Sequence, residues 1–75
     1  MSPKFPTATS REVVRALERK GWSLDRVTGS HHIFQHHDFA HPISVPMHRR
    51  DLPIGTLKSI LTAAGISREE LQKLL

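Results

Sequence analysis

The sequence predicts an α+β fold in which helices pack against one face of a three-stranded antiparallel sheet. Two stretches with apolar residues at helical spacing flank a central stretch in which apolar and polar residues alternate. Glycines separate these patterns, so each element is short. A chain of 75 residues is long enough for one small core. The predicted order is α-β-β-β-α followed by a short C-terminal helix, in a single domain over residues 1–75.

The first helix is predicted over about residues 10–20. Thr9 and Glu12 have the spacing of a capping box, with Thr9 as the N-cap. Gly21 is well suited to end the helix, because glycine adopts the left-handed conformation often found there. The two prolines and the lack of periodicity in residues 1–8 predict a loose lead-in. The apolar stripe of this helix consists of Val13, Val14, Ala16 and Leu17.

A hairpin is predicted from two extended segments, residues 22–27 and 31–35, joined by a turn at residues 28–30. A third strand is predicted over residues 43–48. Pro46 cannot donate a hydrogen bond to a neighbouring strand, so this strand is expected at a sheet edge or with a bulge. Alternation gives the first strand one face with Trp22, Leu24 and Arg26 and another with Ser23, Asp25 and Val27. The core face of the third strand is expected to carry Ile43, Val45 and Met47.

Two further helices are predicted after the sheet. Residues 57–64 carry an apolar stripe that ends at Gly65. Ser67 and Glu70 form a second capping box, which opens the short terminal helix. Because helices flank the antiparallel strands, we expect them to cover one face of the sheet and leave the other, called the open face below, in solvent.

The charge balance of the chain is basic. Eleven Lys and Arg residues against seven Asp and Glu residues give a net charge of +4 with neutral histidine. Such a balance favours polyanionic partners, nucleic acid first. The sequence has no cysteine, no apolar run near the roughly 20 residues that span a bilayer, and no secretory signal at its start. We therefore expect a cytoplasmic protein without disulfides.

Six histidines lie in the central part of the chain. Side chains alternate along a strand, so His31 and His32 point to opposite faces. Phe34 is the larger apolar residue and is predicted to face the helices, which places His31 on the open face. If Ile33 faces the core instead, a shift of one residue in register places His32 there. The open face is also expected to hold Ser44 and His48, followed directly by Arg49 and Arg50.

Three roles compete for these histidines. Metal binding is not predicted, and neither is any cofactor, because the adjacent pairs lack the spacing of helical zinc ligands and no cysteine is present. A second role is that of ordinary polar strand and loop residues, which we expect for His36, His37 and His41. The third is catalysis on RNA. Imidazole, with an ordinary pKa of about 6.5, accepts a proton from a ribose 2′-hydroxyl, whose oxygen then attacks the adjacent phosphorus.

Three segments together resemble the HicA (YcfA-like) toxins, the small mRNA interferases of bacterial toxin–antitoxin pairs. The first is residues 17–22, the end of the first helix through Gly21-Trp22. The second is residues 28–34, which contain Gly29-Ser30-His31-His32. The third is the long run over residues 45–66. The resemblance covers about residues 10–67, and the order and spacing of the three segments make it specific.

The resemblance implies a double-stranded-RNA-binding-domain-like fold and an endoribonuclease that depends on one histidine after the Gly29-Ser30 turn. We assign that role to His31, with His32 as the alternative, and expect Gly29 and Ser30 to present the histidine. A HicB-like antitoxin is the implied protein partner, and mRNA the implied substrate. The predicted RNA contacts are His48, Arg49, Arg50 and Lys58. The alternative function is a non-catalytic RNA-binding or protein-binding module of the same fold.

Overall fold

The computed structural model describes residues 6–75. Its elements are α1 (Ser10–Arg19), β1 (Ser23–Thr28), β2 (His31–Gln35), β3 (Ile43–Pro46), α2 (Ile54–Ala64) and α3 (Arg68–Leu74). This order confirms the predicted α+β class, the double-stranded-RNA-binding-domain-like arrangement and the short C-terminal helix. Of the predicted lead-in, residues 1–5 lie outside the described part. Ala8 is fully buried, and its carbonyl accepts a hydrogen bond from the Leu52 backbone N–H.

The sheet has β2 at its centre, paired antiparallel with β1 on one side and β3 on the other. Both α1 and α2 pack against β3, whereas every residue of β1 is exposed. The helices therefore cover one face of the sheet, mainly over β3, and leave the predicted open face. The most deeply buried large apolar side chains are Phe34, Leu17, Leu57, Leu71, Val13 and Val45.

Phe34 joins the sheet to the helices. Its side chain is 1% exposed, and it lies opposite Ile43 of β3, which is also buried. Directly opposed residues on antiparallel strands share a face, so Phe34 and Ile43 both point to the helices. The prediction that Phe34 faces the core is confirmed, and alternation along β2 then sets the direction of every other side chain in that strand.

The predicted alternation of β1 is wrong beyond Leu24. Leu24 lies opposite Phe34, but Arg26 lies opposite Ile33, the residue next to Phe34. The register shift between Leu24 and Arg26 marks a β-bulge, so one extra residue, Asp25, interrupts the alternation. Arg26 consequently moves to the open face, and Val27 of the same strand joins the helix side of the sheet. An extra residue of this kind leaves no trace in the apolar pattern, because all of β1 is exposed.

Two other boundaries differ from the predictions. β3 ends at Pro46 rather than at residue 48, although the Met47 backbone N–H still donates to the Ser30 carbonyl at 2.8 Å. α2 begins at Ile54, three residues before the predicted start, with Pro53 as its N-cap. The first turn of α2 is mostly exposed, so its residues do not belong to the apolar stripe from which the start was predicted.

Both predicted capping boxes are present, at the starts of α1 and α3. The terminal helix is also joined to the end of α1 by an ion pair, in which Lys20 Nζ lies 2.7 Å from Glu70 Oε2. The hydrogen bond from Lys20, together with one from the Ser67 backbone, lowers the pKa of Glu70. Both side chains are substantially exposed, so this pair stabilises the fold only slightly.

A hydroxyl group connects α1 to the end of β3. Ser10, the first residue of α1, is fully buried. Its Oγ donates to the Pro46 carbonyl at 2.6 Å and accepts from the His48 backbone N–H at 2.9 Å. One side chain thus satisfies two backbone groups that lie 36 and 38 residues away along the chain.

Replacing Ser10 with alanine is expected to lower the free energy of unfolding by about 2 kcal/mol, because it leaves a part-buried carbonyl and a part-buried N–H without their partner. Urea unfolding followed by circular dichroism measures this loss. Ser59→Ala is the matched control, because Ser59 is exposed in α2 and its replacement is expected to change stability by less than about 0.5 kcal/mol. Equal stability of the two variants would contradict the structural role of Ser10.

Candidate functional site

His31 is the first residue of β2 and follows the Gly29-Ser30 turn directly. It lies opposite Thr28 of β1 and Pro46 of β3. Because it is three positions from Phe34 in an alternating strand, it points to the open face, and its side chain is exposed. Within residues 6–75 its imidazole makes no hydrogen bond or ion pair. No polar contact with the described residues therefore fixes the ring, and a ligand can reach it.

The turn that precedes His31 needs a glycine because of its backbone conformation. Gly29 has a φ of +59°, in the left-handed region that residues with a side chain rarely adopt. A Cβ built on Gly29 would meet no atom within 4 Å, so the backbone conformation and not crowding requires glycine here. The turn reverses the chain within two residues and places His31 at the very end of the sheet.

His32 has a different environment. It lies opposite the buried Val45 on one side and Val27 on the other, and it is half-buried. Its side chain therefore points to the helix side of the sheet. The two adjacent histidines lie on opposite faces, as predicted, and one RNA group on the open face would reach His31 but not His32.

The other predicted site residues lie in three places. Ser44 is exposed and lies opposite Ile33, so it shares the open face with His31, as predicted. His48 follows the end of β3, so the strand alternation that was expected to place it on the open face does not reach it. It instead lines a groove beside the start of α1, together with Arg49. Arg50 is exposed in the next position, and Lys58 is exposed on α2.

Arg11 is a candidate residue that sequence reasoning missed. It lies outside the apolar stripe of the first helix, and nothing else in the sequence singles it out. In the structure it lines the same groove as His48 and Arg49. The proximity of α1 to the segment after β3 depends on the Ser10 hydrogen bonds, which join positions far apart in sequence, and no local pattern predicts them.

His36 has a structural role at the end of α1. Its Nδ1 accepts from the Asp38 backbone N–H at 3.0 Å, so its Nε2 carries the proton and donates to the Lys20 carbonyl at 3.0 Å. The ring also packs against Trp22 and Phe39, with centroids 5.2 and 5.1 Å away. A Cβ on Gly21 would come within 2.9 Å of Nε2, so glycine is needed for this close approach.

The same region contains a group of potential metal ligands. Single ligand atoms of His36, His37 and Asp38 lie within 4.8 Å of one another. Both ring nitrogens of His36 are already engaged in hydrogen bonds, and its ring is stacked on that of His37 with an interplanar angle of 19°. Stacked rings do not direct their lone pairs to a common point, so this arrangement is poorly suited to hold an ion. A cavity of about 490 Å³ beside it is not lined by His31.

Comparison with known protein families matches residues 10–66 to the family described as the HicA toxin of bacterial toxin–antitoxin systems. The chain belongs to this family. The matched range begins with α1 and ends two residues after α2, so it includes the His31 turn, the whole sheet and every residue that lines the groove except Thr9. No curated protein matches the chain in a search by sequence similarity.

As a HicA toxin, the protein is one component of a toxin–antitoxin pair, which implies an antitoxin as its partner. In the described part of this HicA chain, no helix is long and apolar enough to cross a membrane.

Proposed function

We propose that this HicA toxin is an endoribonuclease that cleaves mRNA, with His31 as the general base. The observation that carries the proposal is the position of His31. Its imidazole is exposed on the open face, directly after a tight glycine turn, and has no partner within residues 6–75. A general base must be able to approach the hydroxyl group from which it takes a proton, and this position allows that approach.

The reaction needs no metal and no external nucleophile. A neutral nitrogen of His31 takes the proton of a ribose 2′-hydroxyl, and the 2′-oxygen attacks the adjacent phosphorus. The bond from phosphorus to the 5′-oxygen breaks, that oxygen takes a proton from water, and the protonated His31 gives its proton to the hydroxide that remains. The products are a 2′,3′-cyclic phosphate and a free 5′-hydroxyl. One positioned base contributes about 10²–10⁴-fold, so the enzyme is expected to be slow.

Basic residues after β3 and on α2 supply the electrostatic part of the proposal. We assign RNA contacts to His48, Arg49, Arg50 and Lys58, because cations close to the strand offset its negative charge and hold it in place. The same basic surface suits an acidic protein that competes with RNA. We propose that a HicB-like antitoxin covers this surface and His31, and so keeps the toxin inactive.

The test uses purified protein and an end-labelled RNA, beside the same RNA with a single 2′-deoxynucleotide at the cleaved position. Cleavage of the first at that position, with cyclic phosphate ends and in the presence of EDTA, is the expected result. The 2′-deoxy substitution should block that cut, because it removes the nucleophile. Cleavage of both strands, or inhibition by EDTA, would exclude this mechanism. Binding that weakens with salt, without any product, would favour the non-catalytic module.

A further inference from the structure

A groove separates the start of α1 from the segment that follows β3. Its volume is about 420 Å³, within the range of roughly 300–1,000 Å³ that is typical of small-ligand sites. Arg11 stands on the α1 side, and His48 and Arg49 stand on the other. Thr9 and Met47, both half-buried, complete the walls. His31 does not line this groove, but Met47, which does, donates its backbone N–H to the carbonyl of Ser30, the residue before His31.

The walls of the groove are fixed relative to each other. Ser10 holds the backbone of His48 against α1 through its Oγ, at 2.9 Å. Behind it, Thr9 pairs with Asp51 in an antiparallel bridge, and the Leu52 N–H donates to the Ala8 carbonyl at 2.8 Å. The backbone of both walls is therefore ordered before any ligand arrives, so binding has to order only side chains.

The groove is strongly basic. Arg11 and Arg49 are exposed, and neither forms an ion pair with any residue in 6–75. Of the described residues that line the groove, none is acidic. Glu12 is adjacent in sequence, but its carboxylate accepts from the Thr9 backbone N–H at 2.9 Å and does not line the groove. Asp51 is the other nearby acid, and it too lies outside the lining.

We propose that this groove binds one phosphodiester group of the RNA strand through Arg11, His48 and Arg49. Each guanidinium offers a planar pair of N–H donors that matches two phosphate oxygens, and the His48 ring adds a donor. Contacts of this kind fix the position of a strand without reading its bases. The groove thus gives the strand a second point of attachment besides His31, and the inference rests on the proposed function only in taking RNA as the ligand.

The experiment measures binding of a labelled, fully 2′-O-methylated RNA, which cannot be cleaved because its 2′-oxygens carry no proton. Arg11→Gln/Arg49→Gln is compared with Arg15→Gln/Arg19→Gln. The control removes the same charge from exposed positions of α1 that do not line the groove. We expect the groove variant to bind about tenfold more weakly and to lose about 0.7 from the slope of log affinity against log salt, the contribution of one phosphate. The control should stay within about twofold of the wild type.

Equal effects of the two double variants would overturn the proposal, because the binding would then reflect overall charge. So would a complete lack of binding by the wild type. Because this strand cannot be cut, the result is independent of His31. Weaker binding by the groove variant, without cleavage of unmodified RNA by the wild type, would refute only the proposed nuclease activity. Cleavage of RNA with no weaker binding by the groove variant would refute only the proposed phosphate site.

Discussion

Replacement of His31 by alanine is expected to reduce RNA cleavage by about 10²–10⁴-fold. The variant loses the group that takes the 2′-hydroxyl proton, whereas the arginines that we propose to hold the strand remain in place. Affinity for the 2′-O-methylated RNA should therefore change by less than about threefold. This is a smaller change in binding free energy than the loss of one charge-assisted hydrogen bond would cause. Single-turnover cleavage rates and binding measured on the same preparation separate the two effects. Expression of the variant in a host that the wild type arrests should no longer stop growth.

His32→Ala is the matched control, since it removes the same side chain from the adjacent position. His32 lies on the helix side of the sheet opposite Val45, and a base there would not reach a strand on the open face. We expect this variant to keep cleavage within about tenfold of the wild type, with a modest loss of stability because His32 is half-buried. Activity that survives in His31→Ala and disappears in His32→Ala would make His32 the base and refute the assignment.

The face occupied by His31 could be predicted from sequence because three local features agree. A glycine turn fixes the start of β2, alternation fixes relative directions, and Phe34 is large enough that only the core accommodates it. The same reasoning fails in β1, where no side chain is buried and alternation has no energetic consequence. The bulge at Asp25 therefore exchanges the faces to which Arg26 and Val27 point, and the pattern of apolar residues in the sequence does not reveal it.

The groove could not be predicted for a different reason. Its walls are joined by long-range contacts, among them the hydrogen bonds of Ser10 with Pro46 and His48, which lie 36 and 38 residues further along the chain. A serine in the first turn of a helix is ordinary, and nothing in its neighbourhood distinguishes a buried bridging hydroxyl from an exposed one. Arg11 and Arg49 line the same groove because these hydrogen bonds, the Thr9–Asp51 bridge and the hydrogen bond from Leu52 to Ala8 hold the two segments together.

Phe34→Ala is expected to lower the free energy of unfolding by about 3–5 kcal/mol. The residue is 1% exposed and sits where β2 meets the helices, so truncation leaves a cavity that the surrounding core cannot fill. A chain of this length has a total stability of roughly 4–11 kcal/mol at about 0.05–0.15 kcal/mol per residue, so the variant should be close to unfolding. Urea titration followed by Trp22 fluorescence measures the loss, because Trp22 is itself buried in the same core.

Phe39→Ala makes the comparison specific, because it is the same substitution at a side chain that is 39% exposed. We expect it to cost about 1 kcal/mol, and a cost equal to that of Phe34→Ala would mean that Phe34 does not anchor the sheet. The pair also bears on His31. If Phe34 anchors β2, Phe34→Ala should lose both stability and cleavage, whereas His31→Ala, at an exposed position, should lose cleavage with its unfolding midpoint unchanged. Only that second pattern identifies a residue that acts on RNA and does not merely maintain the fold.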